Sequence, residues 1–285
     1  MRKKILLFGA TGMAGHIAYY YLSSTRRYEI QDVVYRTPLT ENSIIVNVTD
    51  KDVVAAVVRQ AKPDIILNCV GVLIRGAQEH PDNAVYINAY FPHQLKTLAD
   101  EIGARLIHIS TDCVFSGKKG MYTEDDFRDA DDIYGRSKAL GEIINDKDLT
   151  LRTSIIGPEL KKKGEGLFNW FMQQSDKVLG YKTAIWGGVT TLELAKIIDY
   201  GIQNDLRGLI HLSNGEGINK YDLLCLFREI WGKEIEIEAV NKNGVDKSIK
   251  RSNKLNFEIP SYRQMLEDLK EWMDCHSDLY KSNYQ

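Results

Sequence analysis

Residues 4–15 read Lys4-Ile5-Leu6-Leu7-Phe8-Gly9-Ala10-Thr11-Gly12-Met13-Ala14-Gly15, and this stretch decides how the rest of the chain is read. A short apolar run meets a G-x-x-G-x-x-G turn, and a helical pattern follows from about Met13 to Ser23. Strand, glycine turn and helix together form the context in which spaced glycines bind a diphosphate. The glycines allow a tight turn and a close approach of the anion, and free N–H groups at the helix N-terminus receive it. Gly9, Thr11, Gly12, Met13 and Gly15 are the candidate contacts.

Outward from this turn, short β-rich runs alternate with helical patterns. Strands are predicted at Glu29–Tyr35, Ser43–Val46, Asp64–Cys69, Arg105–Ile109 and Leu149–Thr153. Helices are predicted after a cap at Thr49 or Asp50, over Ala84–Ile102, and over about Ile133–Asn145. Continuous apolar strands suit a parallel sheet covered on both faces. The expected fold is α/β: a Rossmann-type doubly wound parallel sheet with a smaller C-terminal substrate-binding lobe. Residues 1–155 and about 181–213 are assigned to the core, and about 156–180 and 214–285 to the lobe.

Composition narrows the function. Lys plus Arg total 37 against 39 Asp plus Glu, so the net charge is −2 and the sequence-independent attraction of nucleic-acid binders is missing. The same balance argues against a basic membrane-surface protein. The longest apolar stretch, Ile65–Ile74, contains Asn68 and falls far below the roughly 18 residues of a span. Arg2-Lys3-Lys4 precede only a short apolar run, less than the about 7–15 residues of a signal peptide. A cytoplasmic protein with no membrane or nucleic-acid partner is expected. Cys69, Cys113, Cys225 and Cys275 are widely spaced and the histidines form no ligand pair, so neither a disulfide framework nor a metal is expected.

Three further segments carry chemistry. The second strand ends in Val33-Val34-Tyr35-Arg36-Thr37, and an arginine there accommodates the 2′-phosphate of NADPH. Asp32 is the competitor that would favour NADH, but strand alternation turns it away from the tip. Tyr134-Gly-Arg-Ser-Lys138 puts a phenol and an ammonium one turn apart on a helix. Ser110-Thr111-Asp112-Cys113 follows a strand and therefore lies at the sheet edge where ligands bind, with Asn68 at the corresponding end of the preceding strand. Carbonyl reduction needs such a set. Hydride addition leaves an alkoxide to be protonated, and a phenol with an ordinary pKa of about 10 needs a nearby ammonium to lower it.

Taken with Leu151-Arg-Thr-Ser154, Ile210-His-Leu-Ser-Asn214 and Phe257-Glu-Ile-Pro260, these motifs resemble the extended short-chain dehydrogenase/reductases. Within them the chain is similar to the dTDP-4-dehydrorhamnose reductase family. The resemblance implies catalytic roles for Thr111, Tyr134 and Lys138, with Asp112 beside the substrate. It places Asn47 and Val48 near the adenine, and Asn68, Cys69 and Val70 along the cofactor. It implies a nucleotide-sugar lobe, with candidate contacts in 164–170 and 186–191: Asn169, Trp186 and Thr190, joined by Cys113 from the core. The sequence departs from the family at Gly71–Arg75, at Cys113 and at Gly187-Gly-Val-Thr190, all on the expected substrate side.

The resulting expectation is NADPH-dependent reduction of the C4 ketone of a nucleotide-linked 6-deoxyhexose, with NADH as the lesser cofactor. A dTDP-linked 4-dehydrorhamnose comes first and a UDP-linked 2-acetamido-4-keto-6-deoxyhexose second. Cys113 stands where a 4,6-dehydratase needs Glu, which disfavours that activity. An epimerase would share the Tyr and Lys, and a regulatory subunit of the methionine adenosyltransferase β type would share the fold. The expected partner is the nucleotide sugar, with a homodimer left open.

Overall fold

The computed structural model describes residues 2–162, 164–242 and 244–284. Its first half runs β1 (Lys3–Phe8), α1 (Met13–Ser24), β2 (Tyr28–Val34), β3 (Ile44–Ile45), α2 (Lys51–Ala61), β4 (Ile65–Asn68), α3 (Ile74–Glu79), α4 (Pro81–Ala84), α5 (Phe91–Glu101), β5 (Arg105–Ser110), α6 (Ile133–Leu140) and β6 (Leu149–Arg152). It continues through β7 (Ser154–Ile156), α7 (Leu167–Met172), β8 (Lys177–Tyr181), β9 (Ala184–Trp186), β10 (Gly188–Thr190), α8 (Thr191–Gln203) and β11 (Gly208–His211). The last segments are β12 (Ile218–Asn219), α9 (Lys220–Ile230), β13 (Glu236–Val240), β14 (Val245–Asp246), α10 (Tyr262–Cys275) and α11 (Ser277–Tyr284).

A seven-stranded parallel sheet has the order β3-β2-β1-β4-β5-β6-β11. The expected doubly wound fold is present. Both faces are covered, and alternation along β1 shows how: Ile5 and Leu7 belong to one apolar core with α1 and α8, Leu6 and Phe8 to the other with α2 and α5. The order reverses between β1 and β4, so the loops leaving these strands diverge and open a crevice.

Smaller sheets complete the molecule. β8 pairs with β13, β9 lies between β12 and β14, and β10 pairs with β7. β9 falls inside the 181–213 segment assigned to the core but lies outside the large sheet, paired with β12 and β14. Likewise β7, which begins at Ser154, has left the large sheet.

Two helices also differ from expectation. The helix expected over Ala84–Ile102 is a run from Pro81 to Glu101 interrupted by a π-helical turn at Val85–Tyr90. Pro92 has no N–H to offer the Asn88 carbonyl, and such a gap in the ladder favours a local widening. That carbonyl packs against Gly141, where a Cβ would lie 1.9 Å from its oxygen. The same contact explains why α6 stops at Leu140 instead of continuing to Asn145: the chain must turn there to bring a residue without a side chain against the π turn.

Candidate active site

The glycine turn is dictated by close backbone approaches. Gly9 has φ +82°, and a Cβ there would stand 2.9 Å from the Cys69 carbonyl carbon. A Cβ on Gly15 would come within 2.1 Å of the Gly9 carbonyl oxygen, so only glycine lets α1 start this close to β1. Gly12 caps α1 with no side-chain hydrogen bond and no acidic residue in the first turn, which leaves the helix N–H groups facing outward for an anion. These groups open onto a cleft of about 660 Å³ lined by Thr11–Ala14, Cys69–Gly76, Thr111, Cys113, Tyr134 and Lys138, with Trp186 and Lys220 opposite.

Thr111, Tyr134 and Lys138, separate in sequence, meet on this cleft. Thr111 follows β5, and its hydroxyl accepts from the Cys113 N–H and donates to Asp112 Oδ1, both at 3.1 Å. α6 starts at the Asp132 cap, whose carboxylate accepts from the Gly135 N–H at 2.8 Å and sets the helix that presents Tyr134 and Lys138. Burial pushes the Tyr134 phenol up, with Cys113 adding to the rise and a hydrogen bond to Thr111 opposing it. This is a correction: a lowered phenol was expected from Lys138. The Lys138 ammonium instead donates to the Ile109 carbonyl at 2.8 Å, and burial lowers it to about 8. Asp112 is buried and its carboxyl is pushed up by burial, so it stands behind Thr111 and outside the cleft lining.

On the cofactor side, Arg36 lies exposed beyond β2 with its guanidinium 4.5 Å from the Tyr35 ring centroid. Asp32 is 1% exposed and accepts from Thr40 and Ser43, so it fastens the loop after β2 and leaves the strand tip to Arg36. Val46 donates to the Val34 carbonyl at 2.8 Å, which carries Asn47 and Val48 along the same sheet end. Asn68 departs from expectation. Its side chain is fully buried, 3.1 Å from His108 Nδ1 and accepting from the Val70 N–H at 3.0 Å, so it shapes the loop while Cys69 and Val70 face the cleft.

On the opposite wall Trp186 lines the cleft and donates from Nε1 to Ser154 Oγ at 2.8 Å, and Cys113 lines it from the core side. Two expected substrate contacts are elsewhere. Asn169 is fully buried, donating to the Gly164 carbonyl at 3.2 Å and accepting from Tyr284 at 2.9 Å. Thr190 caps α8 by accepting from the Glu193 N–H at 3.2 Å. Both are spent on internal bonds. Lys220, Glu159 and the Arg75–Glu165 ion pair at 3.6 Å were not anticipated. Arg75 lay in the departing loop and could have been suspected; Lys220 reaches the cleft only because β12 pairs with β9, which no local pattern announces.

No group of residues able to hold a metal ion occurs among the described residues, and no helix among them is long and apolar enough to cross a membrane.

Comparison with known proteins follows the same lines. A family model described as the RmlD substrate binding domain matches residues 3–282. The dTDP-4-dehydrorhamnose reductase of Sinorhizobium fredii is 29% identical over 212 residues, covering 67% of this chain and 70% of its own. Methionine adenosyltransferase 2 subunit beta of Bos taurus is 26% identical over 242 residues, covering 78% of this chain and 70% of its own. Among solved structures, dTDP-4-dehydrorhamnose reductase from Bacillus anthracis in complex with NADP has a TM-score of 0.81 at 22% identity, covering 95% of this chain and all of that one. A hypothetical dTDP-4-dehydrorhamnose reductase from Sulfolobus tokodaii has a TM-score of 0.77 at 26% identity, covering 92% of this chain and 98% of that one.

Proposed function

The chain belongs to the RmlD substrate binding domain family, and from that premise we propose that it is an NADPH-dependent oxidoreductase reducing the C4 ketone of a nucleotide-linked 6-deoxyhexose, dTDP-4-dehydro-L-rhamnose before others. The observation that carries this reading is the meeting of Thr111, Tyr134 and Lys138 on one cleft with the open N-terminus of α1.

The turn fits a dinucleotide. Gly12 lines the cleft, a Cβ there would stand 3.2 Å from the Gly9 carbonyl oxygen, and no carboxylate competes in the first turn. Thr11, Gly12 and Met13 hold the diphosphate, Arg36 the 2′-phosphate, and Lys138 the adjoining ribose. Bound there, NADPH supplies the hydride. The chain's own residues do the rest. Thr111 turns its hydroxyl from Asp112 to donate to the ketone oxygen and orient it, and Tyr134 delivers the proton that the forming alkoxide requires. Lys138, donating to the Ile109 carbonyl, is left to hold the ribose as an ammonium. Trp186 and Lys220 offer the sugar nucleotide a flat face and a cation from the opposite wall.

Gly187–Thr190 lies outside the cleft lining, but the departures at Gly71–Arg75 and Cys113 line it and leave the reducing set untouched. They bear on the choice between a dTDP-linked and a UDP-linked 2-acetamido substrate. A second reading draws on the match to methionine adenosyltransferase subunits, in which the chain binds cofactor and regulates a partner. One experiment separates them: NADPH binding by titration alongside cofactor oxidation with dTDP- and UDP-linked 4-keto sugars. Turnover with either supports the reductase and ranks the sugars. Tight NADPH binding without turnover overturns it in favour of the regulatory reading.

A further inference from the structure

Behind the cleft, meeting its lining at Ser110, lies a largely buried ionic cluster that the proposed chemistry does not use. Glu142 is 6% exposed, and its carboxylate accepts from Ser110 Oγ, Arg152 Nε and Arg152 Nη2 at 2.7 Å each and from Arg128 Nη1 at 3.0 Å. Arg152 is 1% exposed, with Nη1 2.7 Å from His211 Nε2 and its guanidinium 5.0 Å from the Phe115 ring centroid. A buried ion pair of this kind adds little stability over an apolar pair of similar volume, so its presence asks for another purpose.

The cluster and the reducing centre meet at the end of β5, where Ser110 donates to Glu142 and the Lys138 ammonium donates to the neighbouring Ile109 carbonyl at 2.8 Å. Ser110 immediately precedes Thr111, and Lys138 lies four residues before Glu142. The groups facing Lys138 are Cys69 after β4, His108 on β5, Tyr134 one turn earlier on α6, and Glu142; Arg152 on β6 and Arg128 from the preceding loop stand behind Glu142. The Cys69 thiol is pushed up to about 12 by burial and His108 is held neutral by it, so neither counters an ammonium at neutral pH. Glu142 is the largest influence opposing the lowering of Lys138 by burial.

We infer that Glu142 is a positioning residue for the reaction. Anchored by Arg152 and Ser110, it holds Lys138 as an ammonium and fixes the strand end bearing Thr111 against the helix bearing Tyr134. The inference rests on the roles proposed above for Tyr134 and Lys138, and its test is readable without turnover.

The experiment is an NMR titration of lysine labelled with ¹³C at Cε, with Lys138 assigned through Lys138→Arg, in the full chain and in Glu142→Gln. Removing the carboxylate leaves Arg152 and Arg128 uncompensated, and both disfavour a further cation. Lys138 is expected to titrate about one unit or more lower in the variant. The high-pH limb of kcat should move down by the same interval while KM for NADPH stays within about twofold. A Glu142 that merely held the scaffold together would lower activity equally at every pH and leave the lysine titration in place, and that result overturns the inference. Should Glu142→Gln fail to fold, Arg128→Gln decides. Losing that half-exposed cation leaves the carboxylate less neutralised, so Lys138 should titrate higher, and an unmoved titration is contrary. Absence of turnover in the unaltered chain would count against the reductase alone, since the titration still answers for Glu142.

Discussion

The two walls of the cleft are built differently. Thr11 and Thr111 stand just beyond β1 and β5, whose parallel pairing runs for four to six residues, and Tyr134 and Lys138 stand on α6 beside them. Trp186 and Lys220 stand on β9 and at the start of α9, where each strand pairing runs for two residues. Under the proposed function, the groups that must meet a reacting atom stand beside the long register and the groups that would select the sugar sit on short pairs. The difference teaches where to expect loss of rate and where to expect change of preference.

The largest effect belongs to the first wall. Tyr134→Phe should bind NADPH normally and lose about 10²–10⁴-fold in turnover, since it removes only the proton donor. Steady-state rates with a parallel cofactor titration check it, and near-normal turnover would take the phenol out of the reaction.

The junction of α1 with α11 gives the next effect. His16 on α1 lies 2.8 Å from the Gly12 carbonyl oxygen and 3.0 Å from the Tyr280 hydroxyl on α11, and burial lowers it to about 4 from 6.5. Between those values the unfolded chain binds the extra proton and the folded one does not, so stability falls as pH drops from 6.5 towards 4. The loss should reach on the order of 3 kcal/mol, and His16→Asn should flatten it. Urea melts across that range test this; an equal slope in both proteins would assign the acid sensitivity to other groups.

Arg36→Ala should weaken NADPH by about 1.5–3 kcal/mol and leave NADH nearly unchanged, through loss of a charge-assisted phosphate contact. Equal weakening of both cofactors would remove Arg36 from the 2′-phosphate. The smallest change is expected on the second wall. Trp186→Leu should alter the ratio of kcat/KM between dTDP- and UDP-linked substrates while NADPH affinity moves by less than about threefold. An unchanged ratio with collapsed NADPH binding would place Trp186 in the cofactor site.

The same contrast governs what the sequence reveals. The glycine turn, Thr111, and the Tyr134–Lys138 pair are local patterns tied to strand and helix ends, so the order of residues alone makes them readable. Asp32 lies within β2 and turns inward to Thr40 and Ser43, whereas Arg36 lies beyond the strand's end. Asn169 and Thr190 misled because the resemblance assigned their segments to the sugar lobe, whereas burial has committed both to internal bonds. β9, β12 and β14 span two or three residues each and leave no periodicity to detect. Glu142 was visible only as the end of a motif; its meaning comes from Arg152, which β6 brings alongside through the pairing of Ser110 with Arg152.

Central to this picture is hydride delivery to a sugar carbon on the first wall. The most direct measurement uses NADPH carrying deuterium on the transferred position of the nicotinamide C4, incubated with dTDP-4-dehydro-L-rhamnose and analysed by mass spectrometry and NMR. Reduction at C4 places deuterium on that sugar carbon in step with the NADP⁺ formed. Cofactor that stays reduced and labelled beside an unlabelled sugar, in a protein that binds both, would contradict it.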